Sequence, residues 1–343
     1  MITIKDMAYK AGVSPTTISN VLHGRTEKLS EDTLERVRKV IKESNYVSNM
    51  GARLLARNGS KILGVIITYS RRNEKNAIQD PFYSEIIGAL ENEIRCNGYY
   101  MMLYTSGNIE ESLNLAKAWN IEGMVVLGAN SKDCRMFKEN TDVPIVFIDS
   151  YFENDGIQYA NVGLQDKDGA YQMTNYLIEK GHKDIAFLAD APVPDGVDKE
   201  RLDGYSTALQ ENGLGGKESY ISISHKVKDR HEFLQEFIKD KIKEFSALFF
   251  ASDYYAVDTI HFLQKQNVII PDDISIVGFD DNIFSQLCNP LLTTVHQNVS
   301  DKAKYSIQLL INMISKNEIN EYIIHLPVQL VIRESVKNLI NEK

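Results

Sequence analysis

Thr3–Leu22, TIKDMAYKAGVSPTTISNVL, is the stretch whose reading decides this chain. Ile4, Met7, Ala8 and Ala11 fall at i, i+3, i+4 and i+7, one apolar stripe along a short helix. Thr3 stands at the N-cap with Asp6 three residues on, and Gly12 supplies the left-handed residue that ends such a helix. Ser14-Pro15 restarts the chain as cap and first helical residue. In the second helix Ile18, Val21 and Leu22 turn inward. At about 100° per residue this leaves Thr16, Ser19, Asn20 and His23 on the opposite face. Two short helices around a glycine turn, with small polar groups on the outer face of the second, have the form that reaches base edges in a DNA major groove.

The next residues strengthen that reading. Ser30 is placed to cap a third helix with an acidic first turn (Glu31, Asp32), and Leu34, Val37, Val40 and Ile41 complete a three-helix core. Residues 1–60 carry 10 Lys+Arg against 6 Asp+Glu, hence +4; the remaining 283 carry 28 against 41, hence −13. A basic head on an acidic body confines nucleic-acid contact to one end of the chain. A basic helical surface can also be merely solvated, and the caps and the segment beyond Ser44 weigh against that.

That segment is Asn45–Arg57, NYVSNMGARLLAR, followed by Leu63-Gly64-Val65-Ile66. Asn49–Arg57 has helix-forming character but is shorter than the ~12–15 residues an isolated helix needs, and it contains Gly51. It should therefore fold only when two copies meet on DNA. Together with the head, the arrangement resembles the lactose repressor and galactose repressor family of bacterial transcriptional regulators, with a head similar to that of the purine repressors, over essentially all 343 residues. The resemblance implies a helix-turn-helix domain at 1–46, a hinge helix and linker at 47–60, and an effector-binding and dimerisation domain at 61–343. The last would be a two-lobed, type I periplasmic-binding-protein-like α/β body with parallel sheets. Its N-lobe would hold 61–161 and 291–325 and its C-lobe 162–290 and 326–343, with crossings near 160, 290 and 325. Base readout would fall on Pro15, Thr16 and Asn20, phosphate contact on Ser14, Thr17, Ser19 and His23, and a minor-groove wedge on Leu55. Many members have a proline at the position of Ser48, so the start of this hinge departs from the pattern.

The body is independently legible as α/β. Apolar runs stand at Ile62–Ile67, Tyr99–Leu103, Met124–Leu127, Ile145–Ile148, Ile185–Ala189, Ala247–Ala251 and Ile274–Val277. Continuous rather than alternating runs mean strands covered on both faces, as in a parallel sheet between helices. Helical stripes lie between them, such as Phe82, Ile86, Ala89, Leu90 and Ile94. In open parallel sheets ligands sit outside the carboxyl ends of the strands. There the runs are followed by Thr68-Tyr69, Asp149, Asp190, Ser252-Asp253 and Asp280-Asp281. Carboxylates accept paired hydrogen bonds from hydroxyls or ring N–H groups, which points to an uncharged polar ligand such as a sugar or nucleobase.

Each aspartate could instead cap the helix after its strand. For Asp253 capping is at least as good a reading as ligand contact. For Asp190, followed by Ala191-Pro192-Val193-Pro194, a loop role is expected. By resemblance, Asp280 and Arg201 match the ligand-holding acid and arginine, and Phe82 the group lining the N-lobe side, although Phe82 also begins an apolar stripe. The effector residues expected are thus Tyr69, Phe82, Asp149, Arg201, Asp253 and Asp280.

No 18-residue apolar run and no signal-peptide pattern occur, so the expectation is a cytoplasmic protein without a membrane partner. Cys96, Cys134 and Cys288 are too scattered for a disulfide framework or zinc site and read as core thiols, and the seven histidines lack metal-ligand spacing. No metal and no cofactor are expected. Asn212–Gly216 lacks the GxGxxG order after a buried strand and reads as a turn. No nucleophile elbow or acid–base pair appears, so an enzyme reading, for example a nucleotide-sugar enzyme on a Rossmann-like fold, rests on architecture alone. The function expected is a sequence-specific regulator, a repressor in type. It would bind a near-palindromic operator as a homodimer and be switched by a small polar effector. A sugar is favoured over a nucleobase corepressor. Only eight residues come after Ser335, too few for a tetramerising heptad tail.

Overall fold

The structure, a computed structural model, describes residues 2–22, 24–27, 29–44, 59–68, 77–152 and 156–340. His23, the hinge with Leu55, and Tyr69 lie outside the described residues. Two units are present, Met1–Ser60 and Lys61–Lys343.

The first unit is built from α1 (Ile4–Ala11), α2 (Pro15–Leu22) and α3 (Glu31–Glu43). Thr3 Oγ1 accepts from the Asp6 N–H at 3.2 Å while the Asp6 carboxylate accepts from the Thr3 N–H at 2.8 Å, a complete capping box. Gly12 closes α1 at φ 63°, where a Cβ would be strained. Ser14 Oγ accepts from the Thr17 N–H at 3.1 Å and starts α2. Met7, Ala8, Ala11, Ile18 and Val37 are buried, with Ile4, Val21, Leu22, Val40 and Ile41 packed around them. Ser30 departs from expectation. It sits at the N-cap of α3 without accepting a backbone N–H there, and its hydroxyl pairs instead with that of Thr33 at 2.9 Å.

In the second unit six parallel strands form the N-lobe sheet: β1 (Ile62–Ile67), β2 (Tyr100–Thr105), β3 (Gly123–Leu127), β4 (Ile145–Ile148), β5 (Asn161–Leu164) and, much later, β11 (Ile323–Leu326), in the order β11-β5-β4-β3-β1-β2. The C-lobe sheet is β7-β6-β8-β9, also parallel, from β6 (Ile185–Ala189), β7 (Ser219–Ser222), β8 (Ala247–Phe250) and β9 (Ser275–Val277). Continuous apolar runs are buried throughout in β1, β3, β4, β6, β8 and β9. In β2, an edge strand, the run is half-exposed.

Helices cover both sheets. These are α4 (Pro81–Cys96), α5 (Ile109–Ala118), α6 (Ser131–Asn140), α7 (Asp166–Glu179), α8 (Gly196–Glu211), α9 (Val227–Asp240), α10 (Asp253–Lys265) and α11 (Val299–Ser315). Ile86, Leu90 and Ile94 turn the expected stripe of α4 into the core. A glycine sets the close approach of α7 and α8: a Cβ on Gly204 would lie 2.1 Å from the Lys167 carbonyl oxygen.

The chain leaves the N-lobe sheet after β5, at Gln165, and begins α7. It returns only after β10 (Thr294–His296), which pairs antiparallel with β12 (Gln329–Val331). Single bridges Val277–Thr293 and Asp280–His296 hold this pair beside β9. Residues 291–296 therefore belong with the C-lobe, and the second crossing falls at Gln297-Asn298 rather than near 290. From there α11 packs on β3, β4 and α4 of the N-lobe. The third crossing is Pro327-Val328. Of the cysteines only Cys134 is buried; Cys96 is exposed and Cys288 half-buried, contrary to the core reading of all three. No described helix is long and apolar enough to cross a membrane.

Candidate effector cleft and nucleic-acid interface

The carboxyl ends of the strands converge on a cavity of about 270 Å³ between the lobes. Thr68 after β1, Gly128 after β3, and Asp149 with Tyr151 after β4 line its N-lobe side, together with Phe82 and Tyr83 at the start of α4. Asp190 after β6, Arg201 on α8, Ser252 and Tyr255 around the start of α10, and Asp280 after β9 line the C-lobe side. Gln297 closes it at the second crossing. Of the expected effector residues, Phe82, Asp149, Arg201 and Asp280 are thus brought together.

Arg201 is the centre of the C-lobe wall. Its Nε lies 2.7 Å from Asp166 Oδ1, its Nη1 donates to the Ala251 carbonyl at 2.5 Å and stands 3.7 Å from Asp280 Oδ1, and its guanidinium lies 3.6 Å from the centre of the Phe279 ring. Burial works to lower its pKa, and the carboxylates of Asp166 and Asp280 outweigh it, so the arginine is held firmly charged. Asp166 Oδ2 accepts from the Tyr151 hydroxyl at 2.6 Å, and burial followed by the Asp166 charge pushes that phenol upward. Tyr151 therefore stays a neutral donor.

Asp280 lines the cavity beside Arg201. It accepts from Ser252 Oγ at 3.1 Å and Gln297 Nε2 at 2.8 Å. Burial raises it to about 7, against the pull of Arg201. Its backbone sits at φ 129°, and that of Asp149 at φ 54°. Left-handed conformations of this kind cost on the order of 1–3 kcal/mol and persist where surrounding structure imposes them, which is frequent at binding sites.

Two aspartates exchange the roles expected of them. Asp253 does not line the cavity. It is fully buried, accepts from the Thr294 hydroxyl at 2.6 Å and the Asn282 N–H at 3.2 Å, and faces Gly278, where a Cβ would meet its Oδ1 at 2.2 Å. Burial and the neighbouring Asp280 charge raise its pKa well above the usual range, so its carboxyl is a structural strut. The capping oxygen of α10 is that of Ser252, at 3.3 Å from the Tyr254 N–H. Asp190, expected as a loop residue, lines the cavity and accepts from the Tyr255 hydroxyl at 2.6 Å. Sequence reasoning passed over Tyr151, Tyr255 and Gln297. Tyr255 lies within the first turn of α10 and Gln297 follows a three-residue strand, so neither stands at the end of an apolar run.

Among the described residues no group of three or more His, Cys, Asp or Glu is placed to hold a metal ion.

On the head, Ser14, Pro15 and Thr16 are exposed at the start of α2, while Thr17, Ser19 and Asn20 are half-buried. Ser14 and Thr17 are joined hydroxyl to hydroxyl at 2.9 Å, so both are also engaged in the helix start. Thr16 and Asn20, four apart, share the face that leads away from Ile18.

The comparisons with known proteins agree with this architecture. Residues 3–49 match the family described as bacterial regulatory proteins, lacI family, and residues 174–336 match a periplasmic binding protein-like domain. The chain is 32% identical over 348 residues to the HTH-type transcriptional regulator MalR of Clostridium butyricum, covering 98% of this chain and 100% of that one. Among solved structures it is similar to a lac repressor dimer bound to operator and the anti-inducer ONPF, at 23% identity and TM-score 0.85 over 98% of this chain and 99% of that one. It is also similar to a complex of the transcriptional regulator CelR with cellobiose, at 24% identity and TM-score 0.71 over 98% of this chain and 100% of that one. With a head that fits the family model and near-full-length identity to a curated member, the chain belongs to the lacI family of bacterial regulatory proteins.

Proposed function

We propose that this protein is a transcriptional repressor that binds a near-palindromic operator as a homodimer and is switched by an uncharged sugar held in the cleft. The observation that carries the sugar reading is the division of labour across the cavity. Arg201, Asp280, Asp190 and Tyr255 stand on one wall and the Phe82 ring on the other. Carboxylate and guanidinium together serve the donor and acceptor faces of vicinal hydroxyls, and an aromatic ring receives the C–H face of a pyranose. The similar CelR structure holds cellobiose, which points the same way.

Pro15, Thr16 and Asn20 are the proposed base-reading residues, with Ser14, Thr17, Ser19 and His23 on phosphates and Leu55 as the minor-groove wedge. The surface proposed to receive the second copy is on the C-lobe, where the large apolar side chains Ile283, Phe284, Leu287 and Leu291 are all exposed, Leu287 to 73%. A regulator of this kind works where the chromosome is, in the bacterial cytoplasm.

Selection of bound duplexes from a random pool by the full-length protein tests the reading. A pseudo-palindrome enriched at ordinary salt is expected. Enrichment of no sequence, or of a single asymmetric half-site, would refute the dimeric operator-binding reading.

A further inference from the structure

Behind the cleft lies a fully buried lysine. Lys302, on the first turn of α11, has no exposed surface. Its ammonium donates to Asp149 Oδ1 at 2.9 Å, Asp149 Oδ2 at 2.7 Å and Gln297 Oε1 at 2.7 Å. An ammonium has three donors, and all three are used. It also lies 5.0 Å from the centre of the Phe82 ring. The Gln297 amide, with its oxygen turned to Lys302, presents its nitrogen to Asp280 Oδ1 at 2.8 Å.

We infer that Lys302 is a positioning residue of the cleft, binding Asp149 as its counter-ion and orienting the Gln297 amide so that it donates to Asp280. Asp149, on the N-lobe side, is therefore a partner of the protein before it is a partner of an effector. Lys302, Gln297 and Asp280 form one hydrogen-bonded line from the N-lobe helix α11, through the second crossing, to the C-lobe wall. Whatever engages Asp280 is felt at α11, which packs on β3, β4 and α4. A polar line satisfied at every member has one preferred arrangement, because turning the amide over would set its nitrogen against the Lys302 ammonium. A disturbance at Asp280 is therefore passed along the line to Lys302. The inference rests on the cleft being the effector site, but its test does not.

The test follows the carboxyl ¹³C signals of aspartates in the full-length protein through pH 5–9. Asp280 is identified by the signal lost in Asp280→Asn. The charged groups acting on it are Arg201 on α8, Asp253 on α10, Asp80 ahead of α4 and Lys302 on α11. The double variant Lys302→Met with Asp149→Asn removes the pair without changing net charge, so a shift reports the amide rather than the field. A carboxylate that loses a donated hydrogen bond titrates higher, and an upward move of roughly half a unit or more is expected. Gln297→Met should give the same rise in an otherwise native cleft, and the double variant added to it should give no further rise. An unmoved Asp280 midpoint in the double variant, or additive shifts in the triple variant, would overturn the assignment. Failure of an effector screen would leave this result untouched, and an unmoved midpoint would leave the effector reading standing.

Discussion

Arg201 and Asp166 form an ion pair at 2.7 Å in which the arginine side chain is 7% exposed and the aspartate 0%. Asp166 is the first residue of α7, immediately past the first crossing, and Arg201 lies on α8, so the pair fixes the cleft arginine to the point where the chain changes lobes. Removing one member of a buried pair costs about 3–5 kcal/mol, and without Asp166 the arginine would keep only the longer contact with Asp280, at 3.7 Å. Asp166→Ala should destabilise the protein by that order in urea unfolding and abolish effector binding. A loss below about 1 kcal/mol would show that Arg201 is held by other groups.

Stability should respond to pH through Asp280. Its folded-state value is raised to about 7 from an ordinary 3.8, mainly by burial, so folding favours its protonated form. A raised acid contributes stability that is full below the unfolded value and is lost as pH rises through the folded one. The ligand-free protein should therefore melt at a lower temperature at pH 8 than at pH 6, and Asp280→Asn should flatten that difference. Melting curves at the two pH values decide it, and an unchanged slope in the variant would place the titration elsewhere. Effector hydroxyls that donate to Asp280 favour its ionised form, so affinity should rise over the same interval.

Gly204 carries the contact between α7 and α8. A methyl group there would stand 2.1 Å from the Lys167 carbonyl oxygen, which is backbone and cannot swing away. Overpacking commonly costs about 1–3 kcal/mol, and this overlap falls at the upper end. Gly204→Ala should lower the chemical-denaturation midpoint accordingly. A neutral outcome would mean that the two helices separate freely.

In the head, Thr3→Ala removes the reciprocal pair with Asp6, and loss of such a cap costs about 0.5–2 kcal/mol. Operator affinity should fall for all sequences alike. Asn20→Ala should behave differently, relaxing preference at one base pair per half-site by about 1–3 kcal/mol. Binding measurements on single-base operator variants separate the two. Uniform weakening by Asn20→Ala would remove it from the readout set.

Much of the fold was legible because its strands are buried on both faces and stand as unbroken apolar runs. The strands that escaped notice are those for which this fails. Asn161 and Gly163 interrupt β5, β7 reads Ser-Tyr-Ile-Ser at a sheet edge, β11 at the edge of the other sheet is half-exposed and carries His325, and β10 and β12 have three residues each. The site was legible where a polar residue ended a run, as at Asp149 and Asp280. It was not where the deciding fact is a partner distant in sequence. Nothing around Asp253 announces Thr294, nothing around Asp190 announces Tyr255, and Lys302 has the local appearance of a solvated helix residue. Its burial is a property of α11 packing over the second crossing.

The central claim, that the cleft binds an uncharged sugar through Asp280 and Arg201, is tested most directly by thermal shift of the full-length protein. Wild type and Asp280→Asn would be compared against a panel of mono- and disaccharides, phosphosugars and nucleobases. A ligand at 100 times its Kd adds about 2.7 kcal/mol to the folded state, a readily visible rise. The expected result is that a neutral saccharide raises the melting temperature of the wild type and leaves that of Asp280→Asn unmoved. A saccharide that stabilises both equally, or a wild type answering only to phosphosugars or nucleobases, would contradict the claim.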